Sequence, residues 1–214
     1  MKESKVNKTK RAIKIHQQLL QHYPALSTFL THKNPFELLI AVILSAQCTD
    51  ERVNKTTPAL FESLPTPQLM ADAPIEQIKE LIKSINFFNN KAKNLKLCAA
   101  QLLERHKGEV PNSLDELTAL AGVGRKTANV VLGQAFDIPG ITVDTHVKRL
   151  SIRLGFSKET NAVKSEQDLM DIWPKETWNT FSTTLIYHGR QVCSARKANC
   201  TACFLDKLCP KKTI

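Results

Sequence analysis

Apolar residues recur at the three-to-four spacing of a helix along almost the whole chain, and alternation with period two is nearly absent. The pattern predicts helices near 8–22, 50–63, 74–85, 89–106, 113–120, 125–136, 145–154, 161–172 and 175–191. One more opens at Asn34-Pro35-Phe36-Glu37, which offers an N-cap, a proline for the first turn and a capping-box glutamate. The run from Phe36 to Gln47 is apolar enough to lie at the centre of a core. A second capping box is expected at Ser113-Leu114-Asp115-Glu116, and Gly108 and Gly155 stand where helices would end in a left-handed turn. The only strand-like stretch is Ile141-Thr142-Val143, so alternating strand and helix units are missing and the expected fold class is all-α. The breaks at 65–67 and 137–140 read as turns within a compact body, without a linker or a solenoid period.

The 214 residues, 42% of them hydrophobic, suffice for one domain or two small ones. Thirty Lys and Arg against twenty Asp and Glu leave a net charge of +10, which favours a polyanion, nucleic acid before an acidic membrane surface. The N-terminal stretch is charged throughout, and the longest apolar run, Leu38 to Leu44, is far below the ~20 residues that cross a bilayer. Neither a signal peptide nor a membrane span is expected. Without a secretion signal, the six cysteines argue against a disulfide framework.

Four of those cysteines crowd together as Cys193-x6-Cys200-x2-Cys203-x5-Cys209, enough thiolates for a cuboidal iron-sulfur cluster or a structural zinc. Zinc ribbons pair two Cys-x2-Cys knuckles, and only one is present. All four ligands would come from the protein, so no open catalytic position is implied. Cys48 and Cys98 lie in helical patterns and read as core thiols. From Arg190 onward the basic residues Arg190, Arg196, Lys197, Lys207, Lys211 and Lys212 face a single acidic one, Asp206.

The segment LTALAGVGRKTANVVLGQAF joins two helical patterns through Gly122-Val123-Gly124. Its glycines permit positive φ and close backbone approach, and its amides, with the next helix N-terminus, can hold a phosphate. A P-loop is excluded because Arg125 separates Gly124 from Lys126 and no strand precedes the turn. A lone Gly-x-Gly is most often just a tight turn between helices.

Together with the basic residues and the cysteines, LAGVGRKTANVVL resembles the helix-hairpin-helix of the endonuclease III family of DNA glycosylases, and the cysteine spacing matches that family's 4Fe-4S site. The resemblance runs from about Pro35 to Cys209. It implies a two-domain helix-hairpin-helix DNA glycosylase fold. A six-helix barrel would span 28–138 with the hairpin at about 113–133, and a discontinuous cluster domain would combine 1–27 with 139–214, its cluster loop at 193–209. It further implies a monomer acting in the cytoplasm, on the nucleoid, that releases oxidised pyrimidines from double-stranded DNA and nicks the strand.

In that chemistry the nucleophile must attack the sugar C1′ and persist as a Schiff base, which an amine can do. By resemblance the amine is Lys126, expected in the first turn of a helix and beside Arg125. An arbitrary lysine would simply be solvated. Asp144 matches the assisting aspartate of VDTH, and on its own it is also a natural helix N-cap. His146 is an orienting or phosphate-contacting candidate. Gly122, Gly124, Arg125, Arg190, Arg196 and Lys197 are expected at the DNA backbone, and Gln47 and Phe87 at the gap left by an extruded nucleotide. Two departures stand out: Ala121 replaces the usual proline, which is expected to loosen the approach to the hairpin slightly, and Asn86-Phe87 replaces a glycine followed by an apolar residue. Rival readings are an adenine-type monofunctional glycosylase, opposed by Lys126 and by the end of the chain at Ile214, and a non-catalytic DNA-binding or redox-sensing module.

Overall fold

The structure, a computed structural model, describes residues 3–23 and 29–211, so the boundary expected at 27/28 lies outside the described residues. Those residues form eleven α-helices and no paired strand; the only β-type contact is an isolated bridge between Cys193 and Ala198. The chain divides into two compact units, Thr28–Ile138 and the combination of Met1–Ser27 with Pro139–Ile214.

The continuous unit holds α2 (Pro35–Ser45), α3 (Asp50–Ser63), α4 (Pro67–Asp72), α5 (Ile75–Leu81), α6 (Phe88–His106), α7 (Leu114–Thr118) and α8 (Arg125–Ala135). Helix α2 is buried from Phe36 to Leu44 and forms the middle of the core, in contact with α3, α6 and α8. Asn34 caps it by accepting the Glu37 amide at 2.9 Å, while the Glu37 carboxylate accepts the Lys33 amide at 2.7 Å. Those bonds occupy donors that a helix start leaves unpaired.

Helix α4 has the same signal, Thr66 at the N-cap and Pro67 at the first turn, where the sequence pattern predicts only a turn; six residues are too few to show a period. Helix α5 stops at Leu81, earlier than the predicted 85, and α1 (Lys5–His22) starts three residues earlier than predicted because Ser4 accepts the Asn7 amide at 3.2 Å. Ser113 makes no side-chain cap bond, so the second capping box does not form. Cys48 lies in the turn after α2, half-buried, and not in a helix; Cys98 is buried on α6 as expected.

Helix α6 fastens three other elements. Lys91 donates to the carbonyls of Leu44 (2.8 Å) and Ala46 (2.6 Å) at the end of α2, and Lys96 to those of Ala71 (2.7 Å) and Ala73 (2.6 Å) at the end of α4. Each ammonium satisfies carbonyls that a helix end leaves unpaired and sits at the negative end of a helix dipole. Further along, α6 grips the turn between α7 and α8. Gly122 has φ +77° and lies so close to α6 that a Cβ would stand 3.0 Å from Asn94 Cβ. The amide of Ala121 donates to Gln101 Oε1 at 2.7 Å. A proline would have no N–H for that bond, so the alanine does not loosen the approach: one hydrogen bond to α6 takes over the restraint of the ring.

The discontinuous unit packs α1, α9 (Thr145–Arg153), α10 (Ala162–Met170), a 3-10 turn (Lys175–Thr177) and α11 (Trp178–Gln191) around Ile15, Leu19, Leu150, Leu169, Phe181 and Leu185. Trp173 stacks at 3.9 Å on Phe181 and meets Phe156 edge-on at 4.4 Å. Ile141-Thr142-Val143 forms no strand. Its neighbour Gly140 and its own Thr142 donate their amides to Asn179 Oδ1 and Ser182 Oγ of α11, both at 3.0 Å, which satisfies the backbone without a sheet.

The account of the hairpin turn predicts that Gln101→Ala lowers the unfolding free energy by about 1 kcal/mol, the net worth of one hydrogen bond. In an Ala121→Pro background, which has no amide proton to lose, the same change is expected to cost almost nothing. Urea unfolding of the four proteins measures the cycle; equal costs in both backgrounds would contradict the bond.

Candidate active site and cysteine centre

Helix α8 begins at the hairpin. Gly124 is its N-cap in extended backbone (φ −91°) and supplies no side-chain cap bond. Unlike Gly122, Gly124 has no atom within 4 Å of where a Cβ would stand, so nothing within the protein requires glycine there. Arg125 and Lys126 occupy the first two positions of α8, both exposed. The Lys126 amine therefore stands in solvent at the positive end of an eleven-residue helix.

Two further predicted residues of this unit, Gln47 and Phe87, are exposed and share an uncommon backbone, with φ 55° and 59°. They belong to adjoining turns, since Asn86 Nδ2 donates to the Gln47 carbonyl at 2.7 Å.

In the discontinuous unit, Asp144 is the N-cap of α9, its Oδ1 accepting the Val147 amide at 2.7 Å while the half-buried carboxylate keeps a second oxygen for other work. The segment pinned to α11 delivers it to that position. His146, two residues on, is half-buried against α11: a Cβ on Gly189 would stand 2.9 Å from its Nδ1, and Arg149 Nη2 reaches that nitrogen at 3.2 Å. This geometry favours the orienting role for His146 over phosphate contact.

The far part of α9 holds the cysteine segment. Arg149 Nη2 donates to the carbonyls of Gly189 and Cys193, both at 3.0 Å. Arg153 donates to the Ser194 carbonyl at 2.7 Å, the Ala195 carbonyl at 3.0 Å and Cys193 Sγ at 3.2 Å. From α1, Arg11 donates to the carbonyls of Leu154 (2.8 Å) and Leu208 (3.3 Å) and lies over the Phe156 ring. Burial, with Arg153 beside it, pushes the Arg149 pKa down. These three arginines were missed at the level of sequence; the four-residue spacing of Arg149 and Arg153 was the one available signal, and their partners are some forty positions away.

All four cysteines, Cys193, Cys200, Cys203 and Cys209, line one cavity, closed on its apolar side by Leu150, Leu154 and Leu205. Burial first, then mutual repulsion among the thiolates, pushes the pKa of Cys203 and Cys209 up. Four thiolates there would need compensating positive charge, which a metal group would supply. Among the described residues no group of three or more His, Cys, Asp or Glu side chains is placed to hold a single ion, and the four cysteines line one cavity. The loop between the first two cysteines is a tight turn in which Ser194 Oγ accepts the Lys197 amide and Asn199 donates to the Val192 carbonyl. Arg190, Arg196 and Lys197 are exposed around it. The thiols of Cys48 and Cys98 belong to the other unit.

Comparison with known proteins agrees with this layout. Residues 40–175 match the HhH-GPD superfamily of base excision DNA repair proteins. The chain is 51% identical to endonuclease III of Synechocystis over 95% of its own length and 94% of that protein, and 47% identical to endonuclease III of Haemophilus influenzae over 97% and 98%. A solved structure described as a trapped endonuclease III–DNA covalent intermediate superposes with a TM-score of 0.90 at 44% identity, covering 95% of this chain and 96% of that one. With these matches spanning nearly the whole length, the chain belongs to the endonuclease III family within the HhH-GPD superfamily of base excision DNA repair proteins.

Proposed function

We propose that this chain is a bifunctional DNA glycosylase and abasic-site lyase that removes oxidised pyrimidines from double-stranded DNA, with Lys126 as its nucleophile. The observation that carries the reading is the placement of Lys126: an exposed amine in the first turn of α8, directly after a turn in which Gly122 is demanded by the fold and Gly124 is left uncovered. The solved relative is trapped as a covalent intermediate with DNA, which requires a nucleophile on the protein. The adenine-type alternative has no use for a lysine at this position.

The Lys126 amine attacks C1′ and the glycosidic bond breaks, the base departing with the amine's proton; the C1′–O4′ bond of the resulting aminal then opens, O4′ taking a proton from water, to leave an iminium. Loss of a C2′ proton then drives β-elimination, the C3′–O bond breaks, and water releases the lysine from the nicked strand. Asp144 assists the amine and offsets the positive charge that develops on the sugar, its other oxygen staying committed to the α9 cap. The hairpin at Gly122–Gly124 with the first amides of α8 and Arg125 takes a phosphate, the absent Cβ at Gly124 giving it room. Arg190, Arg196 and Lys197 add backbone contacts, and His146 orients α9 against α11. Duplex DNA as the substrate places the work of a monomer in the cytoplasm, on the nucleoid; no described helix is long and apolar enough to cross a membrane.

Cys193, Cys200, Cys203 and Cys209 hold a 4Fe-4S cluster, which supplies positive charge and a rigid fold for the basic loop and leaves the reaction to the side chains. Purified protein is expected to be yellow-brown with about four iron and four sulfide per chain, the composition of such a cluster; zinc without iron would overturn the assignment.

The proposed mechanism predicts that Lys126→Gln abolishes strand nicking and lowers base release by at least two to three orders of magnitude, as removal of a covalent nucleophile does. Asp144→Asn is expected to slow base release while its cap bond and fold persist. Single-turnover assays on a duplex with one oxidised pyrimidine, scored separately for free base and for nicked strand, measure both; wild-type rates in Lys126→Gln would end the proposal.

A further inference from the structure

Two buried polar side chains of the discontinuous unit take no part in the proposed reaction. Tyr23, the C-cap of α1, and His188, in the last turn of α11, are 9% and 2% exposed, so their polar atoms need partners inside the protein. Those partners are each other and a cysteine. Tyr23 Oη lies 3.2 Å from His188 Nδ1, and His188 Nε2 lies 3.5 Å from Cys203 Sγ. One imidazole thus joins the end of α1, 165 positions away, to a sulfur of the four-cysteine loop, 15 positions away. Its surroundings hold it in place. The His188 carbonyl accepts the amides of Val192 and Cys193 at 3.0 and 2.9 Å, and the Phe204 ring, next to Cys203, meets the imidazole edge-on at 5.1 Å.

The chemistry of the three groups fixes where the protons are. A thiolate bound to metal has none to give, so the proton between ring and sulfur is the imidazole's own, on Nε2. The neutral ring then has its lone pair at Nδ1, where the tyrosine O–H is the donor it needs. The opposite tautomer would turn an imidazole lone pair onto a negatively charged sulfur. Other donors serve this loop: the Arg153 guanidinium reaches Cys193 Sγ at 3.2 Å, the Lys211 amide reaches Cys209 Sγ at 3.3 Å, and Cys203 also takes the Leu205 amide. Of these donors His188 alone has a second tautomer that takes the proton away, so here a remote hydroxyl decides whether the sulfur receives it.

We propose that Tyr23 and His188 are positioning residues for the metal group: the tyrosine hydroxyl holds the imidazole proton on Nε2, and that proton, donated to Cys203 Sγ, raises the reduction potential of the cluster. The inference rests on the reading of the four cysteines as ligands of a 4Fe-4S cluster, whose potential is set in part by hydrogen bonds to its sulfurs. An N–H donated to a ligand thiolate draws negative charge away from the iron, which favours the form carrying one more electron.

The experiment is protein-film voltammetry of the cluster-loaded protein and its variants, after iron and sulfide have been counted in each. His188→Leu removes the donor and is expected to lower the midpoint potential by about 59 mV, a tenfold shift of a one-electron equilibrium. Tyr23→Phe keeps both rings and removes one hydroxyl; it should lower the potential by part of that amount, and no further when combined with His188→Leu. His188→Gln should keep most of the wild-type potential, because the tyrosine can donate to its amide oxygen and leave an amide N–H for the sulfur. The iron–thiolate stretching bands of the resonance Raman spectrum should shift on exchange into D2O in wild type and less in His188→Leu, a signature that lost packing alone does not give. If His188→Leu fails to retain iron, Tyr23→Phe decides. A Tyr23→Phe midpoint equal to wild type, or a loss in His188→Leu that His188→Gln reproduces in full, overturns the proposal and leaves the cluster assignment standing. Wild-type protein without iron and sulfide ends both.

Discussion

Two lysines inside one helix hold the continuous unit in shape. Lys91 and Lys96 of α6 spend their ammonium protons on the carbonyl ends of α2 and α4, groups that a helix end leaves without an intrahelical partner. A buried orphan such as the Leu44 carbonyl would cost on the order of 1–3 kcal/mol, and Lys91 is itself buried, so its bond is among the most consequential in the unit. Because Asn94 and Gln101 of the same helix seat the hairpin turn, and Phe87 begins it, α6 sets the position of every candidate DNA contact in this unit. The proposed nucleophile, Lys126, is placed precisely because its helix grows out of a turn that α6 holds on two sides.

Helix α9 has the corresponding place in the other unit. Asp144 starts it, His146 packs it against α11, and Arg149 and Arg153 fasten the cysteine segment by its carbonyls. A carboxylate and the four-cysteine loop are thereby mounted on one nine-residue element. With the proposed cluster bound, the cysteines would anchor basic residues relative to the helix that carries Asp144 without an open metal position.

Most of the elements were legible in the sequence because they obey local rules. Asn34-Pro35 with Glu37 announced α2, the apolar period announced α6 and α11, and Gly122 declared a left-handed turn that the structure contains. Where local rules failed, tertiary partners had replaced them. Thr66-Pro67 carried the same start signal as Asn34-Pro35 but opened a helix too short for a period, and Ile141-Thr142-Val143 had strand chemistry but found side chains of α11 in place of a strand. The lysines of α6 and the arginines of α9 were invisible for the same reason. Along the chain they are ordinary basic positions, and only folding brings them to carbonyls tens of residues away. The four cysteines were readable as ligands from their spacing, whereas the cavity they share was not.

The central claim is that one particular amine among thirty basic residues becomes covalently bound to DNA. Mapping the attachment point tests it most directly: the protein is reduced with borohydride during turnover of an abasic duplex, digested, and the modified peptide sequenced by mass spectrometry. The account predicts a single adduct on Lys126. An adduct on any other lysine or on the N-terminal amine would contradict it.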